Sequence, residues 1–411
     1  MTMQSADAPE RSSRSEKVWQ QRVMGLIAAI VPVMVFVREA SPLLCVLLLA
    51  ALIGSARANG SAASAIDTLR RWLASREVLV LIAALSFMLV SVLWSPATER
   101  GAVHAIRATT GALLIVALLA FASANPQKRL GSALAGGLII GAVLLLVNLL
   151  THNEVRSWVG LSADPWRTNR AAVAIALLLP LALLLSWRSA RAVAVALAGL
   201  SLAAIFYSSA QLAVLVAAMV WMASALLGAR IVHRIVAAST VVATITMPVL
   251  VGYANAVVPA SLHEKVGYGT LTIRGEIWAA FAKLIPERPF FGFGLEASNV
   301  IGKTEHVAEL TERHRELLSF THPHNAPLQI WFELGLLGAL FAVVLIVLAF
   351  RAMEHLPPDR LRSATATAAG VFAVAAVSHG AWQSWWICLV GLVAVLYALL
   401  PPGPESDGSK S

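Results

Sequence analysis

Residues 130–150 read LGSALAGGLIIGAVLLLVNLL, twenty-one consecutive positions without an acid or a base. A helix of about 20 apolar residues crosses the roughly 30 Å hydrocarbon core of a bilayer, because each residue adds about 1.5 Å and every backbone polar group is satisfied within the helix. This stretch is therefore expected to span a membrane. Outward from it, further apolar segments lie at 23–37, 43–56, 78–95, 108–123, 170–187, 191–207, 210–227, 231–253, 327–350, 364–380 and 386–400, which makes twelve in all. The first pair, interrupted by Arg38-Glu39-Ala40-Ser41-Pro42, reads as a hairpin. Of the 411 residues 58% are hydrophobic and only 13% charged, and the mean hydropathy is +0.76. Soluble domains carry about a quarter charged residues. The expectation is an all-α polytopic membrane protein of about twelve transmembrane helices, and a large soluble catalytic domain is excluded.

The net charge of +9 admits two explanations, a nucleic-acid surface or loops biased toward the cytoplasm. With the N-terminus inside, eighteen of the 31 Lys and Arg fall on the cytoplasmic side. Arg38, Arg100, Arg107, Arg156, Arg167 and Arg170 fall on short outer loops, and seven lie on one long outer segment. Orientation accounts for the excess, and both termini are expected in the cytoplasm. The organisation reads as a tail over 1–22, helices one to nine over 23–253, a long outer loop over 254–326, helices ten to twelve over 327–400, and a tail over 401–411. Cys45 and Cys388 sit inside apolar runs with no CxxC or metal spacing, so they read as small hydrophobes.

A 73-residue loop is long enough to be functional. Its seven bases are matched by eight glutamates, so it is near neutral and unsuited to nucleic acid. Residues 272–285 place Ile273, Ile277, Ala280, Phe281, Leu284 and Ile285 on one helical stripe, which predicts an amphipathic helix on the bundle or the lipid interface. A short charged helix is expected over 309–318, and Gly292-Phe293-Gly294 reads as a turn rather than a phosphate loop.

Thr321-His322-Pro323-His324-Asn325-Ala326-Pro327 joins the loop to the tenth segment. Asn325 suits an N-cap and Pro327 a first helical turn, so His324 sits at the positive end of a membrane helix, where the neutral imidazole is favoured. It could take a proton as a general base, or simply anchor the helix at the interface. His322 and His324 lack an obvious third ligand for zinc, and no metal is expected. Arg274, opening the amphipathic helix, and Arg170, opening the sixth segment, could grip a diphosphate bidentately or snorkel to headgroups. Sequence physics does not rank these two above Arg107, Arg156, Arg167 and Arg288. Trp158, Trp166, Trp278, Trp331, Trp382, Trp385 and Trp386 suit an interfacial belt, with sugar stacking by Trp278, one turn from Arg274, as the alternative. Glu276 could orient Arg274. No HExxH, GxSxG or Walker motif is present.

His324-Asn325, nine residues, then Gly335-Leu336-Leu337-Gly338 resembles the His-Asn-x9-Gly-x-x-Gly pattern of the bacterial O-antigen ligase family. The segment Arg274-Gly275-Glu276-Ile277-Trp278 through Pro289, Gly292 and Gly294 is similar to the wider superfamily of ligases and polymerases. A serine-arginine pair often found after the seventh span there is replaced here by Ser208-Ser209-Ala210-Gln211. The resemblance implies transfer of a glycan from undecaprenyl diphosphate to lipid A-core at the periplasmic face of the inner membrane, without nucleotide, cofactor or metal. It implies His324 as the general base and Arg274 and Arg170 as the diphosphate-binding pair; beside it, the reading of the residues keeps Glu276, Trp278, Asn325 and His322 as supporting candidates. An O-antigen polymerase is the nearest alternative. A secondary transporter is more remote, since the spans are almost free of ionisable groups and the single long loop breaks two-half symmetry.

Overall fold

The computed structural model describes residues 8–206, 210–257, 270–319 and 322–402. Helices α1 (Ala8–Phe36), α2 (Ala40–Ala58), α3 (Ala62–Leu73), α4 (Arg76–Val90), α5 (Thr98–Ser123) and α6 (Leu130–Leu150) build the first half. After the short α7 (Glu154–Trp158) come α8 (Asn169–Ser189), α9 (Arg191–Phe206), α10 (Gln211–Leu227) and α11 (Ala229–Val257). The loop carries α12 (Thr270–Leu284) and α13 (Glu312–Leu317), and α14 (Ala326–Met353), α15 (Pro358–Val377) and α16 (Ser384–Ala398) complete the chain.

Every one of the twelve apolar segments falls on a helix, and the protein is an all-α polytopic membrane protein. Among the described residues, eight helices are long and apolar enough to cross a membrane. Three more, Arg191–Ile205, Gln211–Leu227 and Ser384–Ala398, are apolar but shorter, and α15 is more polar, so length and composition give eight rather than twelve. Helix α1 begins at Ala8, so it takes in much of the polar stretch before residue 23. Ser208 and Ser209 lie outside the described residues.

The α1–α2 hairpin forms as expected; α1 also packs on α6, α8 packs among α6, α9 and α15, and α16 packs against α2 and α5. Their shared core runs from Ile27, Met34 and Leu52 to Leu178, Leu392 and Leu396. A second core lies beneath the loop, where α12 packs on α11 and α14. Ile277, Trp278, Ala280, Phe281, Leu284 and Ile285 are buried there, so the amphipathic stripe faces the bundle; Ile273 alone stays exposed.

Helix α14 is broken at Gly335, where φ is +63° and ψ −160°. The break leaves carbonyls and amides unpaired within the helix, and residues 289–294 satisfy them. Phe293 N–H donates to Phe332 O (3.0 Å) and Gly294 N–H to Glu333 O (2.8 Å), while Leu336 N–H donates to Pro289 O (2.8 Å) and Leu337 N–H to Phe290 O (3.2 Å). The two main chains meet so closely that a Cβ on Gly335 would lie 2.4 Å from the Phe290 carbonyl carbon, and one on Gly292 2.4 Å from that of Glu333. The expected turn at Gly292-Phe293-Gly294 is therefore the loop's attachment to the broken helix.

Candidate active site

Asn325 caps α14, its Oδ1 accepting from Leu328 N–H at 2.9 Å, with Pro327 in the first turn, as the sequence predicts. His324 precedes the cap at φ +53°, a left-handed conformation that costs a side-chain-bearing residue about 1–3 kcal/mol and persists only where its surroundings impose it. Those surroundings are visible. The His324 N–H donates to His322 Nδ1 (3.0 Å), and Trp278 Nε1–H donates to Pro323 O (2.7 Å). The two imidazoles pack with centroids 4.1 Å apart, so His322 belongs to the same cluster. Trp278 is buried behind the cluster; it supports the backbone and is not exposed for sugar stacking.

His324 Nδ1 lies 3.3 Å from Ser378 O, which can only accept, so Nδ1 carries the proton and Nε2 the lone pair. Burial, with Arg274 nearby, pulls its pKa below the ordinary histidine value against the opposing pull of the Ser378 carbonyl. Burial first, then His324, Arg100 and Arg274, holds His322 down at about 3. Both rings are neutral near pH 7.

Ser378 opens the connection between α15 and α16, and this short segment assembles the rest of the site. Arg274 donates from Nη1 to Val377 O at its start. His379 stands edge-on to Trp385 (4.7 Å, 89°) and against Trp386 (5.6 Å). Gln383 contacts His322 Nε2 (3.2 Å) and accepts from Trp385 Nε1–H (2.7 Å). The Arg170 guanidinium lies over the Trp385 ring at 4.4 Å and reaches Arg38 O (3.3 Å) and Glu39 (3.4 Å). Residues 377–386 thus bring Arg274, the two histidines and Arg170 to one place. Sequence reasoning read the tryptophans of this segment as an interfacial belt and did not single out His379 or Gln383. The signal was a polar Ser-His-Gly step between two apolar helices. Burial, together with Arg170, His322, His324 and Arg274, pushes His379 down to about 3.

The remaining candidates separate. Arg156 is buried and clasps the end of α1 through Val35 O and Phe36 O (3.0 Å), Arg167 pairs with Asp164 (2.8 Å), and Arg288 stands over Phe293 (5.4 Å). Glu276 pairs with Arg313 at 2.8 Å, so it does not orient Arg274. Among the described residues no three His, Cys, Asp or Glu side chains gather to hold a metal ion.

Comparison with known proteins bears on this geometry. Residues 174–343 match the family model described as O-antigen ligase. Over those residues, fewer than half of the 411, the chain is similar to that family. The matched segment holds Arg274, His322, His324, Gly335 and Gly338 but stops short of Arg170 and of residues 377–386. A Rickettsia conorii protein named "Putative polysaccharide ligase" is 30% identical over 152 residues, 36% of either chain. A Rickettsia prowazekii protein of the same description is 30% identical over 151 residues, 36% of this chain and 37% of its own. The alignment spans about a third of these curated relatives.

Proposed function

We propose that the protein is an O-antigen ligase, a glycosyltransferase that moves polysaccharide from undecaprenyl diphosphate to lipid A-core in lipopolysaccharide synthesis. It works in the bacterial inner membrane, with both termini in the cytoplasm and the site on the periplasmic face. The observation that carries the reading is the convergence of a neutral imidazole and two guanidinium groups on the α15–α16 connection. The family match and the names of the relatives support it.

His324 Nε2 takes the proton of an acceptor hydroxyl as its oxygen attacks the anomeric carbon. The bond from that carbon to the phosphate oxygen breaks, and the electron pair leaves on the diphosphate. Arg274 and Arg170 offset the charge that grows there, in a site where burial strengthens each interaction. Displacement in one step inverts the anomeric centre. The arginines supply the positive charge that a divalent cation would otherwise bring.

The test is transfer by the purified full chain in proteoliposomes, with an undecaprenyl-diphosphate glycan as donor, lipid A-core as acceptor, no nucleotide, and EDTA in excess. Glycan on lipid A-core is the expected product. Extension of the lipid-linked glycan alone would assign a polymerase, and no transfer to either would reject the reading. Activity lost on chelation and restored by one divalent metal would overturn its metal-independent step.

A further inference from the structure

Glu333 plays no part in the transfer step above, yet its carboxyl group is fully buried and receives five donors. On Oε1 they are Ser298 O–H (2.5 Å), Ser298 N–H (3.4 Å) and Gln329 Nε2–H (3.0 Å). On Oε2 they are Glu296 N–H (2.8 Å) and Trp382 Nε1–H (2.6 Å). An acid within a membrane helix is costly and is kept where it has work to do. The partners divide into two arms. Glu296 and Ser298 belong to the long loop. Trp382 belongs to the α15–α16 connection, and Gln329 reaches the same connection by accepting from Ala381 N–H at 2.9 Å.

We propose that Glu333 is a positioning residue, which holds the α15–α16 connection where the Ser378 carbonyl orients His324 and the Val377 carbonyl receives Arg274. The proposal rests on the transfer reading for its kinetic consequence but not for the clamp itself. The carboxylate accepts on both oxygens, whereas the amide of Glu333→Gln must turn an NH2 toward donors on one side. That variant breaks half the network at nearly constant volume. Trp382→Phe removes only the direct bond from the connection, leaving the link through Gln329, and Ser298→Ala removes only the loop hydroxyl.

The experiment compares Glu333→Gln, Trp382→Phe and Ser298→Ala by kcat, KM, thermal midpoint in detergent and amide hydrogen exchange. A misplacement near 1 Å costs about 100-fold in rate, so a loosened connection should lower kcat about 10- to 100-fold. Glu333→Gln and Trp382→Phe are expected to show that loss, with donor KM little changed and faster exchange confined to residues 378–383. Ser298→Ala is expected to keep kcat near wild type. Wild-type kcat in both Glu333→Gln and Trp382→Phe overturns the proposal. So does a loss that tracks a fallen thermal midpoint with exchange raised throughout the bundle, the mark of a merely structural acid. If the wild-type chain transfers nothing, the functional reading has failed on its own account. Exchange over 378–383 then decides the clamp, and unchanged exchange in Glu333→Gln rejects it.

Discussion

His324 holds a strained backbone, a fixed tautomer and an Nε2 without a hydrogen-bond partner among the described residues, and its neighbour His322 supplies an acceptor for its N–H and packs against its ring. Removing a general base typically costs about 10²- to 10⁴-fold, so His324→Ala is expected to lose that much in kcat. His322→Ala should lose less, since a strained main chain can relax without abolishing the base. Purified protein with His324→Ala turning over at the wild-type rate would remove it from the chemistry. The lowered pKa of His324 means that its proton arrives only below the ordinary value of 6.5. The kcat profile should therefore stay flat from pH 8 to about 6.5 and fall below that; an acid limb above pH 6.5 would contradict the assignment. Arg274 and Arg170 can be separated from simple anchors by Arg→Lys. Lysine keeps the charge but loses the planar fork, and a lost charge-stabilising donor costs about 10²- to 10³-fold in turnover. Arg274→Lys and Arg170→Lys should lose activity, while Arg288→Lys, whose guanidinium stands over Phe293, should stay near wild type.

The decisive element is α14, and the decisive feature is its break. Gly335 sits where the φ is positive and where a Cβ would meet the Phe290 carbonyl carbon and oxygen at 2.4 and 2.5 Å. The obstacle is backbone on both sides, so neither partner can swing away. Gly338 is close-packed as well, since a Cβ there would meet Leu334 Cβ at 2.2 Å. Gly335 of the His-Asn-x9-Gly-x-x-Gly pattern thus seats the loop on the helix, and Gly338 packs against Leu334 of its own helix. Strain in φ and overpacking cost about 1–3 kcal/mol each. Gly335→Ala is expected to lower the thermal midpoint by several degrees and to raise exchange over residues 289–294 in parallel. A variant with the wild-type midpoint and unchanged exchange would refute this account of the break.

At the scale of the molecule, two histidines, His379 buried and His322 half-buried, couple stability to pH. His322 and His379 are both held at about 3, against 6.5 for a free histidine. Between those values the unfolded chain binds protons that the folded chain does not, so stability is intact above pH 6.5 and falls as the pH drops toward 3. For His379, 8% exposed, acidification from 6.5 to 5 is worth about 2 kcal/mol. The thermal midpoint in detergent should fall over that interval, and His379→Phe, which keeps a ring between Trp385 and Trp386, should flatten the fall. An unchanged slope in that variant would show that His379 is not the group responsible.

The twelve apolar segments, the α1–α2 hairpin, the amphipathic loop helix and the Asn325 cap were all legible in the chain. Each depends on neighbours a few residues apart, and such patterns are written directly in the order of side chains. So were His324, Arg274 and Arg170 as candidates, because residue type and the mouth of a helix declare them. Their ranking was not legible. Arg156 and Arg170 are alike in sequence context, and only packing gives one to the end of α1 and the other to Trp385. Glu276 stands two residues from Arg274, yet the folded loop pairs it with Arg313 instead. The α15–α16 connection meets the loop across more than fifty residues, at Ser378 with His324, and Glu333 finds partners 35 to 49 residues away. Contacts of that range leave no period or spacing in a single sequence; they exist only once the helices have packed and the break at Gly335 has let the loop lie against α14.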